Sequence, residues 1–106
     1  MTASAPRLIP VTIAFAEDSD RHESWGRLLE LRAAGASLLT RARLRSGDAV
    51  RLGFDLVGES LQGVAAEVVK ASEDADGYAV CELLFPDRDF QVKLGRLLRG
   101  ILAAGS

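Results

Sequence analysis

The chain has 106 residues, 48% of them hydrophobic and 26% charged, with 13 Lys and Arg against 15 Asp and Glu for a formal net charge of −2; its pI is near 5.3. That length holds one core and excludes two, the composition excludes a disordered chain, and the charge lacks the basic excess of a general nucleic-acid binder. A single cysteine, Cys81, excludes an internal disulfide and suits a reducing compartment.

No run approaches the ~20 apolar residues of a membrane helix. The opening "MTASAPR" lacks the basic start and apolar stretch of a signal peptide. The expectation is a cytoplasmic chain without membrane insertion, residues 1–6 forming a flexible leader.

In "LIPVTIAFA", Ile9, Val11, Ile13 and Phe15 alternate with Pro10, Thr12 and Ala14, the period of a half-buried strand. Pro10 lacks an N–H and suits the start of a strand. "EDSDRHE" (17–23) reads as a solvated loop. "SWGRLLELRA" follows as a strand with Leu29 and Leu31 inward and Glu30 and Arg32 outward; Trp25 is expected to anchor it to the core, the alternative being a partner surface. Gly35 is placed at the turn on the ground that glycine enters positive φ without steric cost, and "ASLLT" is the returning strand.

A basic loop, "RARLRSGD", leads into "AVRLGFDL", with Val50, Leu52, Phe54 and Leu56 on one face and Arg51, Gly53 and Asp55 on the other. "VGES" is a hairpin turn. "LQGVAAEVVK" puts Val64, Ala66 and Val68 on one side, "SEDADG" turns, and "YAVCELLF" aligns Ala79, Cys81, Leu83 and Phe85. After Pro86 the period becomes helical: Phe90, Leu94, Leu97, Leu98 and Ile101 form a stripe, with Lys93, Arg96 and Arg99 off it. Asp87 is placed to cap this helix, and Gly100 to weaken its end. Short antiparallel strands followed by one helix predict a mainly β fold, a small barrel with the helix covering it or pairing with a second copy.

The sequence contains no arrangement fit for catalysis, so a non-enzyme is expected. His22 has Ser19, Ser24 and carboxylates nearby, but a polar loop supplies neither fixed geometry nor an orienting third group. The carboxylates Glu17, Asp18, Asp20 and Glu23 match no calcium loop and lack its sharp-turn glycine, so no metal site is expected. Cys81 reads as a buried small hydrophobe. Arg41, Arg43 and Arg45 lie on one face of an extended segment, where they could hold a phosphate or an acidic partner.

The order of these elements, with "SGDAVRLGFDL", the strand ending "CELLF" and the closing helix, resembles the PilZ domain over about residues 7 to 102. The resemblance implies a six-stranded antiparallel β-barrel with a C-terminal α-helix, residues 7–106 being one PilZ-like domain, and a place in bacterial signalling or motility. Many members bind cyclic di-GMP through R-x-x-x-R before the first strand and [D/N]-x-S-x-x-G. In this chain Arg7 matches the second arginine and Ala3 stands at the first. Gly35 matches the motif glycine, with Glu30 at the Asp/Asn position and Arg32 at the serine position. A ligand site is therefore expected at Arg7, Glu30, Arg32 and Gly35, with its phosphate and guanine contacts reduced.

The resemblance thus implies an adaptor that works through a protein partner or a homodimer formed by the terminal helix, with weak or no cyclic di-GMP binding and no resident cofactor. The alternative is a cyclic di-GMP receptor using Arg7, Arg32 and the Gly35 turn. A small nucleic-acid-binding barrel is the remote third reading, opposed by the acidic pI and by aromatics (four Phe, one Tyr, one Trp) at mostly inward positions.

Overall fold

A computed structural model of the chain describes residues 9–15, 23–56, 58–73 and 76–105, the last five of these by backbone alone. The leader, Arg7 and the loop carrying His22 lie outside the described residues. The elements are β1 (Ile9–Phe15), β2 (Ser24–Arg32), β3 (Gly35–Thr40), β4 (Ala49–Leu56), β5 (Glu59–Glu73), β6 (Ala79–Leu84) and α1 (Arg88–Gly105). The six strands close into an antiparallel barrel in the order β1-β2-β3-β6-β5-β4, the mainly β architecture with one C-terminal helix that the alternation predicts.

The inward faces follow the sequence pattern over most of their length. Ile9, Val11 and Ile13 of β1, Val50, Leu52, Phe54 and Leu56 of β4, Val64, Ala66 and Val68 of β5, and Cys81, Leu83 and Phe85 around β6 are all buried. Each buried aliphatic side chain of this size is worth roughly 1.5–3 kcal/mol before entropy is counted. Cys81 is fully buried as expected. Desolvation, then the neighbouring Glu82 charge, pushes its thiol above the ordinary value.

Bulges change the phase of two strands. Between Leu28 and Glu30 the pairing of β2 with β3 shifts by one residue, Leu28 facing Leu38 and Glu30 facing Ser37. Leu29 is the extra residue. The core residues of β2 are consequently Leu28 and Leu31, and the expectation that Leu29 faces inward is corrected. The expectation that Trp25 packs in the core falls for the same reason. Counting back by twos from an inward Leu29 sends Trp25 inward; the bulge turns it outward, where it is 70% exposed.

In β5 an extra residue at Gln62–Gly63, with Gly63 at φ 64°, lets both Leu61 and Val64 face the core. A second slip at Val69 follows, and β5 runs into the stretch that reads as a turn, taking in Ser72 and Glu73.

Gly35 is not at a positive φ, and the turn itself falls at Ala33–Ala34. Gly35 opens β3, and a Cβ there would lie 2.1 Å from the Leu83 carbonyl oxygen. Close approach of β6, not a left-handed backbone, is what requires glycine.

The helix seals this same end of the barrel. Asp87 caps it as expected: its Oδ1 accepts from the N–H groups of Asp89 (2.9 Å) and Phe90 (3.4 Å). The helix runs past Gly100 to Gly105. Leu94 is fully buried, and Phe90, Leu97 and Leu98 pack against the core. Phe90 meets Phe85 edge-on at 5.2 Å between ring centroids. The Phe85 N–H donates to the Ala34 carbonyl (2.9 Å) and its own carbonyl accepts from Gln91 Nε2 (2.6 Å). The β2–β3 turn is thus tied to the base of α1. Among the described residues no helix is long and apolar enough to cross a membrane.

Candidate functional site

The hairpin of β2 and β3 brings together three of the four residues expected to form a ligand site. Register across the sheet aligns Glu30, Ser37 and Glu82 on the outer face, one strand after another. Arg32 pairs with Gly35 one step further on. The Arg32 guanidinium reaches back into this row: Nη1 lies 3.3 Å from Glu30 Oε1, and Nη2 lies 3.3 Å from Glu82 Oε2. Ser37 Oγ donates to the other Glu82 oxygen at 2.8 Å.

Arg32 therefore sits between two carboxylates. The three charges sum to −1 (one Arg, two Glu). Lys70, the register partner of Glu82 on β5, brings the row to zero. The side chains of Arg32, Glu30 and Glu82 are nearly half exposed, so each pair contributes at most about 1 kcal/mol to stability. Their larger effect is electrostatic: a phosphodiester entering here meets two carboxylates beside the one guanidinium.

The sequence shows Glu30, Arg32 and Gly35. It does not show Glu82 or Ser37, which only the pairing of β3 with β6 brings into the row. Arg7, the fourth expected residue, lies outside the described residues. Among the described residues no group of three His, Cys, Asp or Glu side chains could hold a metal ion.

Arg41, Arg43 and Arg45 are exposed and line a cleft of about 690 Å³ beyond β3, together with Ala71, Glu73 and Asp76. Leu44 between them is buried and belongs to the core. This loop is fixed at its far end, where Asp48 Oδ2 accepts from the Arg45 N–H (2.9 Å) and the Gly47 N–H donates to Val68 O (2.6 Å). The cleft is of mixed sign, since Glu73 and Asp76 share it with the arginines.

The same strands carry a second recess at the end away from the β2–β3 turn, adjoining the first cleft at Arg41. Pro10, Arg27, Leu39 and Val80 form an outward row across β1, β2, β3 and β6. With Trp25, Arg41 and Tyr78, most of this row lines a groove of about 590 Å³. The Arg41 guanidinium lies 4.7 Å from the Tyr78 ring centroid, a stacked cation–π arrangement. Sequence reasoning misses this groove because it places Trp25 inward. The signal that could reveal it is Gly26, where a Cβ would lie 2.8 Å from both Leu38 Cδ1 and the Leu39 carbonyl oxygen, marking position 26 as the inward one.

No family model matches the sequence, and no curated protein matches it. Solved structures do. The PilZ domain of CeSA from a cellulose-synthesizing bacterium aligns with a TM-score of 0.63 and 24% identity, covering 92% of this chain and 96% of that one. The PilZ domain of YcgR from Escherichia coli, solved with c-di-GMP, aligns with a TM-score of 0.68 and 17% identity, covering 96% of this chain and 88% of that one. At these identities the likeness shows the fold, and the fold is that of a PilZ domain.

Proposed function

Starting from this PilZ fold, we propose that the chain is a bacterial signalling adaptor that works through protein contacts and binds cyclic di-GMP weakly or not at all. The observation that carries the proposal is the seat of Arg32 between Glu30 and Glu82, 3.3 Å from each. A PilZ-type ligand brings two phosphodiesters. The residues present do not fit it: Arg32 stands where the motif has serine, its charge is answered within the chain, and Ala3 replaces the first arginine of the phosphate-gripping pair.

Charge-assisted hydrogen bonds contribute roughly 1.5–3 kcal/mol each. Removing several from a micromolar complex, near −8 kcal/mol, leaves an affinity of about millimolar. What the chain keeps is the framework. Gly35 is retained because β6 passes within reach of any Cβ there, a requirement of the barrel that persists with or without a ligand.

Calorimetric titration with cyclic di-GMP tests the ligand-free part; saturable binding in the low-micromolar range overturns it. Should such binding occur, the double change Arg7→Ala and Arg32→Ala locates it, since a receptor built on those arginines and the Gly35 hairpin loses affinity. A converse experiment restores the motif. The triple change Ala3→Arg, Glu30→Asp and Arg32→Ser should gain at least tenfold in affinity over the parent, about 1.4 kcal/mol. No gain would show that the outer face of the hairpin is unsuited to the ligand for some other reason.

A further inference from the structure

Trp25 is the chain's single tryptophan, and it stands 70% exposed on a strand paired on both sides. Its carbonyl accepts a 2.6 Å hydrogen bond from Thr40 Oγ1, and its Cα is registered opposite Thr12 of β1. The backbone that carries the indole is therefore rigid. A large apolar ring presented from a rigid strand, beside Pro10 and Leu39, matches the anchor geometry of protein–protein contact sites, in which Trp, Tyr and Arg are enriched.

The charge around it is one-sided. Arg27 and Arg41 line the groove, and among the described residues no carboxylate does, although the whole chain carries a net charge of −2. Arg41 is held by its stacking on Tyr78, which leaves the edge of a guanidinium able to donate to a carboxylate.

We propose that this groove docks an acidic protein segment carrying one aromatic or large aliphatic anchor. The anchor packs against Trp25, Pro10 and Leu39, and flanking carboxylates pair with Arg27 and Arg41. The inference rests on the adaptor reading and names the chemistry of its partner. A second copy of the chain fits less well, because a two-fold contact through this groove sets Arg27 and Arg41 against the same cations of the other copy. A nucleic-acid strand fits less well too, since the path beyond Arg41 enters a cleft of mixed sign, where Glu73 and Asp76 interrupt the arginines that a phosphate backbone would follow.

The test is selection of a random dodecapeptide phage library on the immobilised full chain, followed by titration of the enriched peptides against Trp25 fluorescence. The expected peptides are net acidic, carry an aromatic residue or leucine, and shift the Trp25 emission to the blue. Their affinity should fall steeply as salt rises. Trp25→Ala, followed by fluorescence anisotropy of the labelled peptide, should weaken binding by about thirtyfold or more. The double reversal Arg27→Glu and Arg41→Glu keeps the indole as reporter and should abolish the preference for acidic peptides.

No enrichment, neutral or basic winners, or indifference to both variants overturns the proposal. A dimer by sedimentation that Trp25→Ala dissolves assigns the groove to a second copy and overturns it as well. So does an oligonucleotide that displaces the selected peptides at lower concentration than they bind. Cyclic di-GMP binding with acidic-peptide capture intact removes only the ligand-free reading. Loss of acid selectivity without cyclic di-GMP binding removes only the groove.

Discussion

The two ends of the β2–β3 ribbon carry the same kinds of side chain and treat them in opposite ways. At the turn, Arg32 is flanked by Glu30 and Glu82, the turn carbonyl of Ala34 is bonded to Phe85, and α1 closes over the barrel through Leu94. At the far end, Arg27 and Arg41 share a groove with Trp25 and no carboxylate among the described residues. The first end pairs its charges within the molecule; the second presents an exposed ring and two cations that meet no carboxylate among the described residues, Arg41 resting on Tyr78. The lesson is that a family motif can point to one end of an element while the unspent chemistry lies at the other. The Leu29 bulge allows this, because it puts Trp25 and Arg27 on the same outer face as Glu30 and Arg32 despite their opposite parity in the sequence.

The contrast can be broken most forcefully at Gly35. Gly35→Val places a side chain against the Leu83 carbonyl, 2.1 Å from a Cβ at that position, and should cost at least about 3 kcal/mol or prevent folding. A denaturant midpoint like that of the parent would mean that the glycine serves a ligand and not the barrel. Next comes Leu94→Ala, which opens a void beneath α1 and should cost about 2–5 kcal/mol by the same measurement. If the loss is below about 1 kcal/mol, the helix does not seal the turn end as described. Asp87→Ala removes the cap of that helix and should cost about 1 kcal/mol, read as a lowered thermal midpoint.

A smaller effect follows from Cys81. Its folded-state thiol is raised by burial and by Glu82, so above the ordinary thiol range the unfolded chain loses a proton that the folded chain keeps. Stability should therefore be unaffected by this group at neutral pH and should fall as pH rises past about 9. Cys81→Ala should flatten that slope, and an unchanged slope would assign it to another group. The smallest effects sharpen the contrast. Arg32→Ala and Trp25→Ala should each change folding stability by less than about 1 kcal/mol, yet only the second should weaken peptide capture.

Much of the fold is legible in the sequence because most strands keep one phase. Val50 through Leu56 and Cys81 through Phe85 alternate without interruption, and Asp87 announces the helix with a side chain whose capping chemistry is specific. The illegible parts are those where a single residue breaks phase or where one letter serves two purposes. "LLEL" in β2 admits either parity, and only the β3 partner shows that Leu29 is extra. Glycine at 35 reads the same whether the backbone needs a left-handed φ or the neighbouring strand needs room. Ser72 and Glu73 look like the start of a turn because their neighbours across the sheet, not their own polarity, make them a strand. Of the candidate site, Glu30, Arg32 and Gly35 are visible in the chain, while Glu82 is visible only once β3 lies beside β6.

The closure of the barrel restricts how any occupant of the groove can be recognised. At the centre of the groove Arg27 is registered between Pro10 and Leu39, and Leu39 between Arg27 and Val80, so the backbone beneath these side chains offers no open sheet edge to an additional strand. Recognition there has to run through side chains, and a docked peptide need not be extended. A peptide with N-methylated amides should bind as well as its parent, whereas scrambling its side chains should not be tolerated.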